Sequence, residues 1–253
     1  MRREEAITIY DAPGLYDLLV PPGPCERFYR DLARRTGGPI LELACGTGRL
    51  TLPLARDGHE VVGLDNSDPM LRAARSKAAE EDLAISFHKG DMRSFDLGTR
   101  FALVIVSCNS LCQLTETEDL TSCLRQVAVH LVPGGLLAFD VVNPRVADLA
   151  RGRTLRIDPN PSRPDVQACE EQIAYDPVQQ VRVLQWEVHE GGDAPCRTAP
   201  MRLRTIFPQE LLLLLEAVGL ELATRYGDFD RNPLTGNSLN QVVIARSRHT
   251  GHA

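Results

Sequence analysis

Short apolar runs alternate with longer amphipathic stretches through most of the chain. The runs fall at 40–43, 60–64, 85–89, 101–106 and 136–142, and two more close the chain at 220–226 and 240–245. Between them, 25–35 carries Phe28 and Leu32 on one helical face and stops at Gly37-Gly38. Ser67 caps a helix predicted to run to about 81, with Pro69 in its first turn. Thr115-Glu116-Thr117-Glu118 reads as a capping box opening a helix to about 131, and 209–218 forms a last helix before Gly219. Strand and helix in alternation predict an α/β chain built on a mostly parallel sheet with helices on both faces.

The alternation lapses between 146 and 205. After a proline-rich stretch at 153–164 come three strand-like segments at 166–175, 181–190 and 197–207, separated by Asp176-Pro177 and Gly191-Gly192-Asp193. These predict an antiparallel β lid at 150–207, inserted within one domain that spans 1–253. In its middle strand Leu184, Trp186 and Val188 share one face, and Gln185, Glu187 and His189 the other. Trp186 is expected either to line an acceptor pocket or to fill the core of the lid.

The sharpest local signal is Ile40-Leu41-Glu42-Leu43-Ala44-Cys45-Gly46-Thr47-Gly48-Arg49-Leu50, which reads as strand, tight turn and helix. Gly46 and Gly48 leave the main chain bare where a ligand must come close, and a helix start points N–H groups toward it. Pro53 clashes with the carbonyl of Arg49 unless it lies in the first helical turn. The helix should therefore begin near Arg49 or Leu50, leaving the amides of 46–49 free. A dinucleotide fingerprint needs a third glycine where Thr51 stands, and Tyr-x-x-x-Lys follows none of the tyrosines. Asp65, at the end of the next apolar run, suits ribose hydroxyls of NAD or S-adenosylmethionine equally.

Together, the segment from Glu42 to Gly48, Asp65, Gly90-Asp91-Met92 and Pro133-Gly134-Gly135 resemble the class I S-adenosylmethionine-dependent methyltransferases, small-molecule type. The resemblance is strong over 36–143. It implies a Rossmann-like, seven-stranded sheet ending in a hairpin, with S-adenosylmethionine as cofactor. It further implies a cofactor site made by Glu42, Ala44, Gly46, Gly48, Asp65, Asn66, Asp91, Met92 and Ser107. In this set Asp65 and Asn66 meet the ribose, Asp91 accepts from the adenine amine and Met92 covers the ring. Tyr10 and Tyr16, in a Tyr-Asp segment at 1–22, resemble a cap that closes over the cofactor in related enzymes, or else they anchor the N-terminus.

Composition narrows the acceptor. The net charge is −6, from 28 Lys+Arg against 34 Asp+Glu, and no basic block offsets it, so nucleic acid is an unsuitable substrate. After the fourth strand stands Ser107-Cys108-Asn109-Ser110, without the Pro-Pro-aromatic signature of enzymes that methylate nucleic-acid amines. Pro24-Cys25 and Pro195-Cys196 lie outside the core, where a cytosine C5 nucleophile would not stand. Seven cysteines at irregular spacing suggest neither zinc nor disulfides but a reducing cytoplasm, and Cys108 and Cys112 read as small buried apolar residues. His88 and His130 read as structural, the first buried on its strand and the second complementing a helix dipole. No apolar run reaches membrane length, no apolar core follows Arg2-Arg3, and 246–253 reads as a tail.

The expected reaction is methyl transfer to nitrogen or oxygen, more than carbon, of a small molecule, without a metal, by a monomer or homodimer. Tyr10, Tyr16 and His189 are the candidate catalytic groups, with Asp228 also available as a base. Asn109, Asn143, Trp186 and Asp228 are the candidates for holding substrate. The alternative is a regulatory or partner subunit that binds S-adenosylmethionine without turnover.

Overall fold

The computed structural model describes residues 8–152, 154–157, 163–190 and 195–248. The expected turn at 191–193, half of the proline-rich stretch and the tail beyond 248 lie outside the described residues, as does the chain before Thr8.

In chain order the elements are α1 (Pro13–Leu19), α2 (Pro24–Thr36), β1 (Ile40–Leu43), α3 (Thr51–Arg56), β2 (Val61–Asp65), α4 (Asp68–Glu80), β3 (Ser86–Lys89) and β4 (Phe101–Val106). They continue with α5 (Thr117–His130), β5 (Leu131–Val142), α6 (Val146–Arg151), β6 (Thr154–Ile157), β7 (Val166–Asp176), β8 (Val181–Glu190), β9 (Cys196–Arg197), β10 (Met201–Arg204), α7 (Pro208–Ala217), β11 (Leu220–Tyr226) and β12 (Asn240–Ser247). Seven strands form the main sheet in the order β11-β12-β5-β4-β1-β2-β3, and β12 runs antiparallel to both its neighbours. Helices cover both faces. One apolar cluster packs Leu120, Leu124, Leu211 and Leu215 on Leu41, Val104 and Phe139, and the other packs Phe28, Leu32, Leu50 and Leu54 on Ile40, Leu103 and Ile105. Doubly covered strands are nearly continuous apolar runs, and all four residues of β1 are buried, Glu42 among them.

Position in the sheet corrects the reading of His88. β3 is an edge strand, and His88 is exposed there. His130 is buried in the last turn of α5, with its Nδ1 2.8 Å from the Gln126 carbonyl and its Nε2 3.4 Å from the Leu97 amide nitrogen. The expected capping box does not form. Glu116 caps α5 without a side-chain hydrogen bond, and Arg204 instead reaches the Thr115 carbonyl and the Thr117 hydroxyl, at 3.1 and 2.9 Å. Pro133-Gly134-Gly135 lies inside β5, and Arg246 and Ser247 belong to β12, not to a tail.

The lid is a second sheet in the order β10-β8-β7-β6, with β9 also on β8. The single third strand expected at 197–207 is split. Thr198 exchanges backbone and side-chain hydrogen bonds with Trp186, at 3.0 and 3.1 Å, and Pro200 has no N–H to continue the ladder. β6 and α6 were hidden in the stretch where periodicity fails.

Candidate active site

A cavity of about 700 Å³ opens at the carboxyl ends of the parallel strands, floored by the turn after β1 and roofed by the lid and the N-terminal segment. Open α/β sheets bind ligands on this side.

The turn reaches the wall through Ala44 and Gly46, whose φ angles of 53° and 56° lie in the left-handed region. A Cβ on Gly46 would meet the Tyr16 ring at 3.8 Å. Gly48 also has positive φ, 81°, but for packing: a Cβ there would lie 2.1 Å from Leu52 Cδ1. It is absent from the wall. The amides of 46–49 are not all free, because Gly46 donates to Asp65 Oδ2 at 2.8 Å and Gly48 to the Cys45 carbonyl at 2.9 Å. α3 starts at Thr51, slightly later than expected.

Asp65 and Asn66 line the cavity beside the turn. Asp65 Oδ1 accepts from the Ser67 amide at 2.8 Å, and the backbone donors leave part of the carboxylate's four-lone-pair capacity unused. Burial pushes its pKa up, opposed by the amides of Ser67, Gly46 and Asn66. Glu42 and Ser107, expected beside the cofactor, lie behind the turn. Glu42 accepts from the Thr51 hydroxyl and, at 3.4 Å, from Ser107 Oγ, and burial raises its pKa to about 7.

Met92 and Asp91 are both in the wall. Arg93 forks Asp91 at 3.0 and 2.6 Å and reaches Asp119 at 2.9 Å, holding the Asp91 carboxyl below its usual range. Asp91 is thus already paired where an adenine amine was expected to meet it.

Tyr10 and Tyr16 roof the cavity with ring centroids 6.2 Å apart. Gln113 donates to the Tyr10 hydroxyl at 3.1 Å, and burial drives both phenol pKa values well above the usual range. The segment is fastened by Asp17, which pairs with Lys77 at 2.6 Å and accepts from Thr47 at 2.5 Å, and by Ser67 Oγ on the Tyr10 carbonyl at 2.8 Å.

Asn109 adopts φ 59° and accepts from the Val142 amide at 2.6 Å while lining the wall. Trp186 is 6% exposed, lines the wall and packs with Ile9, Leu19, Val166 and Val188. Three candidates are elsewhere. Asn143 holds the 227–239 loop through the Ser238 and Thr235 carbonyls, at 3.0 and 3.3 Å. Asp228 shapes that loop by accepting from Asp230 and Asn232, and the loop gives the wall only Leu239. His189 lies on the outer lid face, 2.9 Å from Glu187. Cys112 is buried as expected, but Cys108 accepts from Arg49 Nη2 at 2.6 Å, and the same guanidinium reaches Cys25 at 3.2 Å. Sequence spacing gave no sign of this cluster, whose members join only in three dimensions. Among the described residues no three His, Cys, Asp or Glu side chains are grouped to hold a metal.

A family model described as "Methyltransferase domain" matches residues 40–135. The CcbJ methyltransferase of Streptomyces caelestis superposes with a TM-score of 0.79 at 31% identity, covering 89% of this chain and 96% of that one. The chain belongs to the class I S-adenosylmethionine-dependent methyltransferases. A dTDP-3-amino-3,6-dideoxy-alpha-D-glucopyranose N,N-dimethyltransferase of Streptomyces fradiae is 34% identical over 135 residues, 50% of this chain and 51% of the relative. The glycopeptide N-methyltransferase MtfA complexed with S-adenosylmethionine gives a TM-score of 0.62 at 25% identity, over 90% and 88% of the two chains. The methyltransferase chain spans about half the length of the curated relatives it matches. Its wall fits the cofactor: bare main chain at Gly46 for close approach, and spare lone pairs on Asp65 for paired hydroxyls.

Proposed function

We propose that this methyltransferase alkylates a nitrogen atom of a polar small molecule held between the lid and the turn after β1. The relatives include both N- and O-methyltransferases, so the atom has to be argued from this chain. Bound S-adenosylmethionine supplies a methyl group on a positive sulfonium. Asp65, Asn66, Ala44 and Gly46 hold and orient it; Tyr10, Tyr16 and Trp186 exclude water, and alignment in a dry site carries most of the catalysis.

The carrying observation is the state of the candidate bases. A hydroxyl acceptor needs a base of suitable pKa within reach, whereas an amine needs only to be neutral when it attacks. Tyr10 and Tyr16 are driven further from ionisation, and His189 and Asp228 lie off the wall. The phenols instead supply a roof and hydrogen bonds.

Purified protein with methyl-labelled S-adenosylmethionine should label an amine in a pool of small polar metabolites. Tight binding of S-adenosylhomocysteine without product from any pool would favour a binding subunit and sink the proposal. In calorimetry, Asp65→Ala should weaken S-adenosylhomocysteine by about 10- to 100-fold, from the ~1.5–3 kcal/mol of charged hydrogen bonds. An unchanged dissociation constant in a folded variant removes Asp65 from the site.

A further inference from the structure

β8 turns Arg182, Leu184, Trp186 and Val188 inward at alternate positions, and all four are buried. The two apolar side chains need no partner. The other two carry N–H donors, and neither Arg182 Nε nor Trp186 Nε1 has a hydrogen-bond partner while both are out of solvent. Arg182 is 8% exposed, and both residues line the cavity.

A buried arginine is ordinarily paired, because an uncompensated charge in the interior is costly. Arg204, on adjacent β10 and 7% exposed, also has an unpartnered Nε, but its Nη atoms follow the rule by engaging Glu210, the Thr115 carbonyl and the Thr117 hydroxyl. Among the described residues no ion pair reaches Arg182. The carboxylates of the same wall are committed elsewhere or distant: Arg93 holds Asp91 and Asp119, and the β1 turn holds Asp65. Glu170 stands opposite Trp186 in the β7–β8 ladder, four residues or about 13 Å along the strand from Arg182. Trp186 packs with Tyr10 and Tyr16 at the cap, while Arg182 faces Leu203 of β10 at the other end of the chamber.

We propose that Arg182 receives an anionic oxygen group of the acceptor, a carboxylate or a phosphate, while Trp186 donates to an uncharged oxygen nearer the transferred methyl. The proposal rests on the methyltransferase reading and narrows it to acceptors with an anionic group remote from the reacting nitrogen. The guanidinium offers two parallel donors to either anion.

Protein saturated with S-adenosylhomocysteine is titrated at constant ionic strength with inorganic pyrophosphate and, separately, with succinate. The fluorescence of Trp186, the sole tryptophan, and the melting temperature are followed. One anion should change the fluorescence saturably and raise the melting temperature by about 3 °C, and which one does so separates phosphate from carboxylate. Arg182→Gln should lose at least about tenfold in that affinity, and Arg182→Lys, which keeps charge but not the fork, should fall between. Without anion, Arg182→Gln should melt no lower than wild type. The inference is overturned if S-adenosylhomocysteine binds but neither anion does, if Arg182→Gln binds the anion as wild type does, or if that variant alone melts much lower. Failure to bind S-adenosylhomocysteine at all would instead strike the methyltransferase reading beneath it.

Discussion

Gly48→Val is expected to remove much of the stability of the fold, whereas Gly46→Ala leaves the protein folded and weakens the cofactor. Both glycines have positive φ, which costs a side-chain-bearing residue ~1–2 kcal/mol. Only at Gly48 does the new atom collide with the interior, 2.1 Å from Leu52 Cδ1 and 3.5 Å from Ala74 Cβ. Overpacking of that kind adds ~1–3 kcal/mol. The total of about 2–5 kcal/mol is a large part of ordinary domain stability and corresponds to roughly 10 °C in melting temperature at this chain length. At Gly46 the added methyl meets the Tyr16 ring at an ordinary contact distance and intrudes on the cavity. Denaturant titrations and S-adenosylhomocysteine calorimetry on both variants check the division. A Gly48→Val protein as stable as wild type, with its cofactor affinity lost, would reverse the roles of the two glycines.

That division marks how far the sequence could be read. Two glycines one residue apart announce a tight turn, but which one faces a ligand depends on where Leu52 returns, just inside a helix that starts one or two residues later than expected. β1, β2, β4 and β5 were legible because strands covered on both faces are continuous apolar runs. The Asp65 expectation rested on a similar local rule, a carboxylate at a strand end, and the structure brings it to the wall.

What could not be read depends on partners distant in the chain. Asp91 looks free in sequence and is forked by Arg93; Asp17, in the Tyr-Asp segment, ties the cap to α4 through Lys77. Asn143 and Asp228 are polar and near strand ends, yet their hydrogen bonds are spent on the 227–239 loop. His189 was a candidate only for its chemistry. The alternation along β8 already placed it opposite Trp186, on the face that turns out to be external.

Glu42→Gln is expected to stabilise the protein at pH 8 and to flatten the pH dependence of its stability. The Glu42 carboxyl is 2% exposed, and burial raises its pKa from 4.5 to about 7 against the pull of the Thr51 hydrogen bond, Arg49 and Ser107. The folded state therefore keeps this proton at pH values where the unfolded chain has released it. Between pH 4.5 and 7 the native state binds more protons, so stability falls as pH rises, by ~1.4 kcal/mol per unit and roughly 3 kcal/mol over the window. Below pH 4.5 both states are protonated and the effect vanishes. Glutamine keeps the shape and one acceptor for the Thr51 hydroxyl but has no proton to lose, so the two proteins should be equally stable near pH 4 and diverge above it. Because Glu42 lies behind the turn and not in the cavity wall, S-adenosylhomocysteine affinity should change by less than about twofold. Urea titrations from pH 4 to 8 on both proteins measure the difference. A variant less stable than wild type at pH 8 would mean that the ionised carboxylate is held by Arg49, and that the acid before the glycine turn is an ion-pair partner and not a buried neutral hydrogen-bonding group.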